Sequence, residues 1–110
     1  MSYKATHRFA HIAPRKAQLV AALIRGRRVE DALTQLEMSK KRGAYFFKSV
    51  LRSAVANAEE GDADVRNLVV IESRADAGPT TKRFQPKDRG RAHPILVRSS
   101  HLHVVVEEKE

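Results

Sequence analysis

Apolar residues recur every three to four positions through most of the first sixty residues, then crowd into short β-rich runs after residue 67. The first helical run is RKAQLVAALIRG (15–26), in which Ala17, Val20, Leu23 and Ile24 share one face. Pro14 suits its first turn, where a missing N–H costs nothing, and Gly26 is a natural stop. VEDALTQLEMS (29–39) repeats the pattern with Val29, Ala32, Leu33 and Leu36, and sets Glu30 and Asp31 at the positive end of the helix dipole. KKRGAYFFKSVLRSAVANAEEG (40–61) is the longest run. Phe46 or Phe47, Val50, Leu51, Ala54, Val55 and Ala58 make its stripe, with Ser39 as its cap and Gly61 as its end. The Phe46–Phe47 pair is assigned to the core.

The remaining segments read as strands. YKATHRFAHI (3–12) is expected to be extended, with Ala5, His7, Phe9 and His11 on one side. LVVIESRADA (68–77) begins apolar and ends polar, and ILVRSSHLHVVV (95–106) does the reverse. Paired antiparallel, Leu68–Ile71 would lie opposite the Leu102–Val106 end, with the two polar halves together farther out. The tail EEKE (107–110), including Glu107 and Glu108, reads as solvated. The pattern predicts an α+β protein: three helices packed on a small antiparallel sheet, with a long extended β-hairpin arm. Residues 1–110 are expected to form a single domain, the arm occupying about 72–100 and its tip about 81–91.

The arm rests on GPTTKRFQPKDRGRAHP (78–94), whose one large apolar side chain is Phe84. A loop this long inside a compact domain is usually functional or disordered. Pro79, Pro86 and Pro94 restrict the backbone and lower the entropy of the loop, Gly90 permits a left-handed turn, and Gly78–Pro79 marks the bend where the polar arm begins. With about fourteen residues a side at ~3.3 Å each, the arm reaches roughly 45 Å. A domain of this size is only about 26 Å across. Such an arm has no apolar reason to stay ordered alone, so it needs a partner.

Charge identifies the kind of partner. The chain carries 21 Lys+Arg against 13 Asp+Glu, a net +8. Residues 1–28 hold seven cations and no acid, and residues 78–98 hold six cations against Asp88 alone, whereas EEGDAD (59–64) has four acids and no base. Charge gathered in two segments favours a phosphate-bearing partner over general solubility. The cations assigned to that phosphate-bearing partner are Arg8, Arg15, Lys16, Arg25, Arg27 and Arg28 in the first segment. In the second they are Lys82, Arg83, Lys87, Arg89, Arg91 and Arg98. For Arg25, Arg27 and Arg28 a solvated helix end is the competing reading. A helix-turn-helix over 15–37 is a further alternative, but its second helix opens Val29-Glu30-Asp31, and those acids would repel a duplex backbone.

Other classes fare poorly. The chain has no cysteine, which excludes disulfides and thiolate metal sites. No apolar run approaches the roughly 18 residues of a membrane span, and the first residues lack the apolar stretch of a signal peptide. The expectation is a soluble cytoplasmic protein with no membrane partner that does not form homo-oligomers. There is no phosphate-binding glycine loop, dinucleotide turn or cysteine nucleophile, so no enzyme is expected. Ser99-Ser100-His101 sets hydroxyls beside an imidazole, but neighbours on a strand point to opposite faces. His101 and His103 share a strand face without a third ligand, so neither metal nor cofactor is expected. No helix sets a Lys/Arg face against a Trp- or Phe-rich one, as a surface-active peptide would.

LVAALIRG (19–26), VLRSAVANAE (50–59), Gly78-Pro79, Lys82-Arg83, Pro86, GRA (90–92) and Ser100-His101 before VVV together carry a resemblance. In order and spacing, over nearly the whole chain, they resemble the L twenty-two family of large-subunit ribosomal proteins. The resemblance implies a compact domain at the outer surface of the large subunit near the polypeptide exit. It further implies a hairpin that penetrates the subunit RNA and assists assembly. The partners it implies are large-subunit rRNA, neighbouring large-subunit proteins and the nascent polypeptide. Carried over by position, Lys82, Arg83, Phe84, Gln85, Pro86, Lys87, Asp88, Arg89, Gly90 and Arg91 would line the nascent-chain tunnel as the hairpin tip. One departure stands out: Asp88 follows Lys87 where the family commonly places a small residue. The alternative function is a free-standing basic RNA- or DNA-binding regulator.

Overall fold

The computed structural model describes residues 2–87 and 91–109, and for 81–87 and 91–97 the backbone alone. The chain runs β1 (Ser2–Ala10), α1 (Pro14–Ile24), α2 (Val29–Met38), α3 (Arg42–Glu60), a short 3-10 turn (Val65–Asn67), β2 (Leu68–Ala77), β3 (Thr81–Lys87), β4 (Arg91–Val97) and β5 (Ser100–Glu108). Three helices pack on an antiparallel sheet of order β1-β5-β2, and β3 and β4 form a separate two-stranded ladder. The extents are 65 × 24 × 16 Å and the radius of gyration is 17.0 Å. A compact chain of this length would have about 13 Å.

The core lies between the helices and one face of the sheet. Phe47, Leu51, Ala54 and Ala58 of α3, Val20 and Ile24 of α1, and Val29 and Leu36 of α2 meet Leu68, Val70, Leu102, Val104 and Val106. Each large side chain fully buried there, such as Phe47 or Ile24, contributes roughly 1.5–3 kcal/mol. Helical spacing anticipated most of these residues. Ala21 replaces Leu23 on the buried face of α1, and Phe46 is only partly buried. It meets His7 and Tyr45 edge to face, each at 5.7 Å, with the Arg42 guanidinium 5.7 Å from its ring centre.

Helix boundaries differ in their chemistry from the sequence reading. Ser39 does not cap α3. It ends α2, its hydroxyl accepts from the Lys41 N–H at 3.3 Å, and Lys41 is the N-cap of α3 without any side-chain cap bond. At the other end the left-handed residue is Asp62 (φ 63) rather than Gly61 (φ −87). Gly61 is needed for space: a β-carbon there would sit 2.7 Å from the Tyr3 ring.

Side chains from the helices hold carbonyls along both edges of the sheet, which limits pairing with other strands there. Along β2, Gln18 donates to the Ala75 carbonyl at 3.2 Å and Arg25 donates twice to the Ser73 carbonyl, at 2.7 and 3.3 Å. The turn between α1 and α2 completes that edge. Gly26 N–H donates to Val70 O at 2.8 Å, and Val70 N–H donates to Arg27 O at 2.9 Å. Along β1, Asn57 of α3 donates to Lys4 O at 3.0 Å.

Two register shifts decide which residues face the core. In β2, Val70 pairs with Val106 and Glu72 with Val105, so Ile71 is an extra residue. Strict alternation from Leu68 and Val70 would send Glu72 inward; the bulge sends Ser73 and Ala75 instead. In β1, His7 pairs with Leu102 and Ala10 with Ser100, again with one residue too many. Phe9 takes a left-handed conformation (φ 58) there, Ala10 is buried and Phe9 is 56% exposed. The expected common side for Ala5, His7 and Phe9 is therefore broken at Phe9.

The single strand expected over 95–106 is two strands with a break at Arg98–Ser99. β5 then continues to Glu108, so residues 107 and 108 are not a loose end. Glu107 pairs with Ser2 and Val69, Glu108 accepts from the Asp64 N–H at 2.6 Å, and Lys109 N–H donates to Asn67 O at 2.7 Å. Leu68 pairs with Glu108 and Val70 with Val106, so the apolar start of β2 meets the last residues of β5.

Candidate nucleic-acid interface

The segment expected to be an arm covers two ladders. Residues 72–77 pair with 100–105 in the main sheet, and Thr81–Lys87 pairs with Arg91–Val97 in the second. Seven residues a side make the second ladder about 23 Å long. Lys82, Arg83, Phe84, Gln85, Pro86 and Lys87 lie on β3, and Arg91 opens β4 opposite Lys87. Asp88, Arg89 and Gly90 lie outside the described residues.

The joint between the ladders is a hydrogen-bonded clamp. Gly78 N–H donates to Ser99 O at 2.9 Å, and the Ser99 hydroxyl donates to Pro79 O at 2.7 Å. A β-carbon on Gly78 would stand 2.7 Å from that hydroxyl and push it off Pro79 O, so glycine at 78 leaves the clamp intact. Ser100, next along, buries its hydroxyl against Ile12 O at 2.6 Å. Neither serine hydroxyl is bonded to an imidazole: His101 Nδ1 accepts from the Phe9 N–H at 3.1 Å. Ser99, Ser100 and His101 thus fasten the arm to the core and do not form a nucleophile and base.

His103 is occupied too. Its Nε2 lies 3.1 Å from Asp76 Oδ2 and its Nδ1 3.2 Å from the Thr6 hydroxyl. Burial, then the Arg74 charge, lowers its pKa below the ordinary 6.5, against the opposing pull of Asp76. A neutral ring that donates from Nε2 and accepts at Nδ1 satisfies both contacts. Arg74 bridges Glu72 and Asp76, which raises its own pKa, chiefly through the Asp76 hydrogen bond.

Beside the clamp a cleft of about 480 Å³ opens, lined by His11, Ile12, Ala13, Lys16, Leu19, Lys41, Arg42, Gly43 and Arg98. Four cations converge on it from α1, the start of α3 and the arm's base, and none of its lining residues is acidic. Among the described residues none of the four is in an ion pair. The first turn of α3 has no acid either, so lysine and arginine stand at the positive end of a 19-residue helix. That arrangement is unfavourable alone and favourable around an anion.

Lys16 and Arg98 were expected to bind RNA, and the fold brings them together here. Lys41 and Arg42 were missed. Their signal was present in Lys40-Lys41-Arg42: three cations opening a helix, where acids normally stand. Arg8 and Arg15 are exposed but do not line the cleft. Arg25, Arg27 and Arg28 are exposed and also lie apart from it, each holding a backbone carbonyl: Ser73, Leu23 at 2.7 Å, and Arg66 at 3.4 Å. The α1–α2 turn is bonded to Val70, so it is not the open turn of a helix-turn-helix. No helix is long and apolar enough to cross a membrane, and no three acidic or histidine side chains gather around a possible metal, both among the described residues.

Fold, clamped hairpin and acid-free cleft define a basic α+β protein with a second ladder set beyond a cationic cleft. The chain belongs to the ribosomal protein L22p/L17e family, whose sequence pattern matches residues 5–107. It is 53% identical over 108 residues to the large ribosomal subunit protein uL22 of Protochlamydia amoebophila (strain UWE25), covering 96% of this chain and 97% of that protein. It is thus a structural ribosomal protein and not an enzyme.

Proposed function

We propose that this protein is a constituent of the large ribosomal subunit in the cytoplasm, where it binds subunit rRNA, contacts neighbouring large-subunit proteins and assists assembly. The cleft at the arm's base and the flanking cations seat the core on RNA. The first ladder roots the arm in the main sheet and the second carries it onward, its tip (Lys82–Arg91) lining the nascent polypeptide exit tunnel. The observation that carries the reading is the convergence of Lys16, Lys41, Arg42 and Arg98 on one acid-free cleft where the arm begins. Cations gathered there release counterions from a phosphate backbone.

The test is binding of large-subunit rRNA over a range of KCl concentrations. The Lys41→Ala/Arg42→Ala double variant should weaken binding by about tenfold and lower the salt slope by about 2. Unchanged affinity and slope would rule the cleft out as an RNA contact. The free-standing regulator predicts sequence-selective duplex binding and absence from the large-subunit peak of a low-salt gradient.

A further inference from the structure

The bulge in β1 turns an aromatic ring away from the core and holds it there. Phe9 adopts φ 58, which bulky side chains rarely take, and its N–H donates to His101 Nδ1 at 3.1 Å. The two rings meet edge to face, 4.9 Å between centres at 85°. Backbone bond and ring contact together fix a ring that is 56% exposed. Residues at strained backbone angles cluster at binding sites, where the surrounding structure over-determines them.

The setting is cationic. Arg8 is exposed beside Phe9, and His11, two residues on, lines the basic cleft. The cleft is also lined by Ile12, Ala13 and Leu19, but an apolar protein side chain seated there would leave its four cations without a counter-charge. A base whose own backbone is held in the cleft gains from both parts, because its flat face stacks on an aromatic ring while its phosphates meet the cations. We propose that Phe9, oriented by His101 and flanked by Arg8, is a stacking site for an unpaired RNA base. This rests on the reading that the protein binds rRNA, and adds that one contact is to a single-stranded nucleotide.

The experiment uses the full chain and a single-stranded RNA of about ten nucleotides carrying 2-aminopurine, with the duplex of the same sequence as comparison. Stacking on Phe9 should quench the 2-aminopurine in the wild type and in Phe9→Tyr. Phe9→Gly removes the ring while easing the backbone. It should bind the single strand about tenfold more weakly, lose the quench and bind the duplex as before. Lys41→Ala/Arg42→Ala should weaken both RNAs yet keep the quench at saturation. If Phe9→Gly binds and quenches like the wild type while the cleft variant is weakened, the stacking site is wrong and the RNA reading stands. If the wild type binds neither RNA, both fall.

Discussion

At the end of the main sheet far from the arm, the inward residues are Leu68, Val70 and Val106, all fully buried. Toward the arm Val104 and Leu102 stand opposite the small Ser73 and Ala75, beyond them the inward residues are Ala10 and Ser100, and there the left-handed Phe9 and the Gly78–Ser99 clamp also lie. One end is made by burying large aliphatic side chains. The other gives up apolar volume and accepts backbone strain of about 1–3 kcal/mol at Phe9. It gains a short serine-and-glycine crossing that aims a hairpin away from the core and a surface that displays a ring. Aliphatic burial is concentrated at one end, and the exposed ring and cationic cleft lie at the other.

Substitutions at each end sharpen that contrast, and thermal and urea unfolding measure them. Leu68→Ala at the aliphatic end should cost about 3 kcal/mol, through lost burial and the cavity left behind. Ser100→Ala at the arm end should cost about 1.5 kcal/mol, because it leaves the buried Ile12 carbonyl without its partner. Phe9→Gly should raise stability by about 1 kcal/mol, since glycine takes φ 58 without strain. A large loss there would show that the ring packs after all, and would erase the distinction between the two ends.

The smallest effect is a pH dependence. His103 has a lowered pKa in the folded state, so the unfolded chain binds the extra proton more readily. Its contribution is therefore full above the ordinary value of 6.5 and is lost as pH falls below it. Unfolding measured between neutral and mildly acidic pH should show this decline in the wild type and a flatter profile in His103→Gln.

The arm-side end was the harder to read from the chain. Helical periodicity and the opposed polarity of the last two strands identified the helices and the pairing of β2 with β5. Nothing local announced that β1 and β2 would each carry an extra residue. A bulge is set by the partner strand and by what must face the core, so Phe9 and Glu72 both defied simple alternation. Arg25 shows the same limit in charge: it reads as an RNA contact, yet its guanidinium completes the edge of β2 by holding the Ser73 carbonyl.

By itself the sequence determined the three amphipathic helices, the two strands that root the arm, the proline-rich basic connection between them and the gathering of positive charge in two segments. These follow from residue type and spacing within a few turns or pleats. Only the tertiary structure decided that Lys16, Lys41, Arg42 and Arg98 share one cleft, that Ser99 clamps Gly78 and Pro79, and that Phe9 faces solvent. Each joins residues far apart in the chain, or turns on a register that antiparallel partners choose together. Short-range pattern records neither.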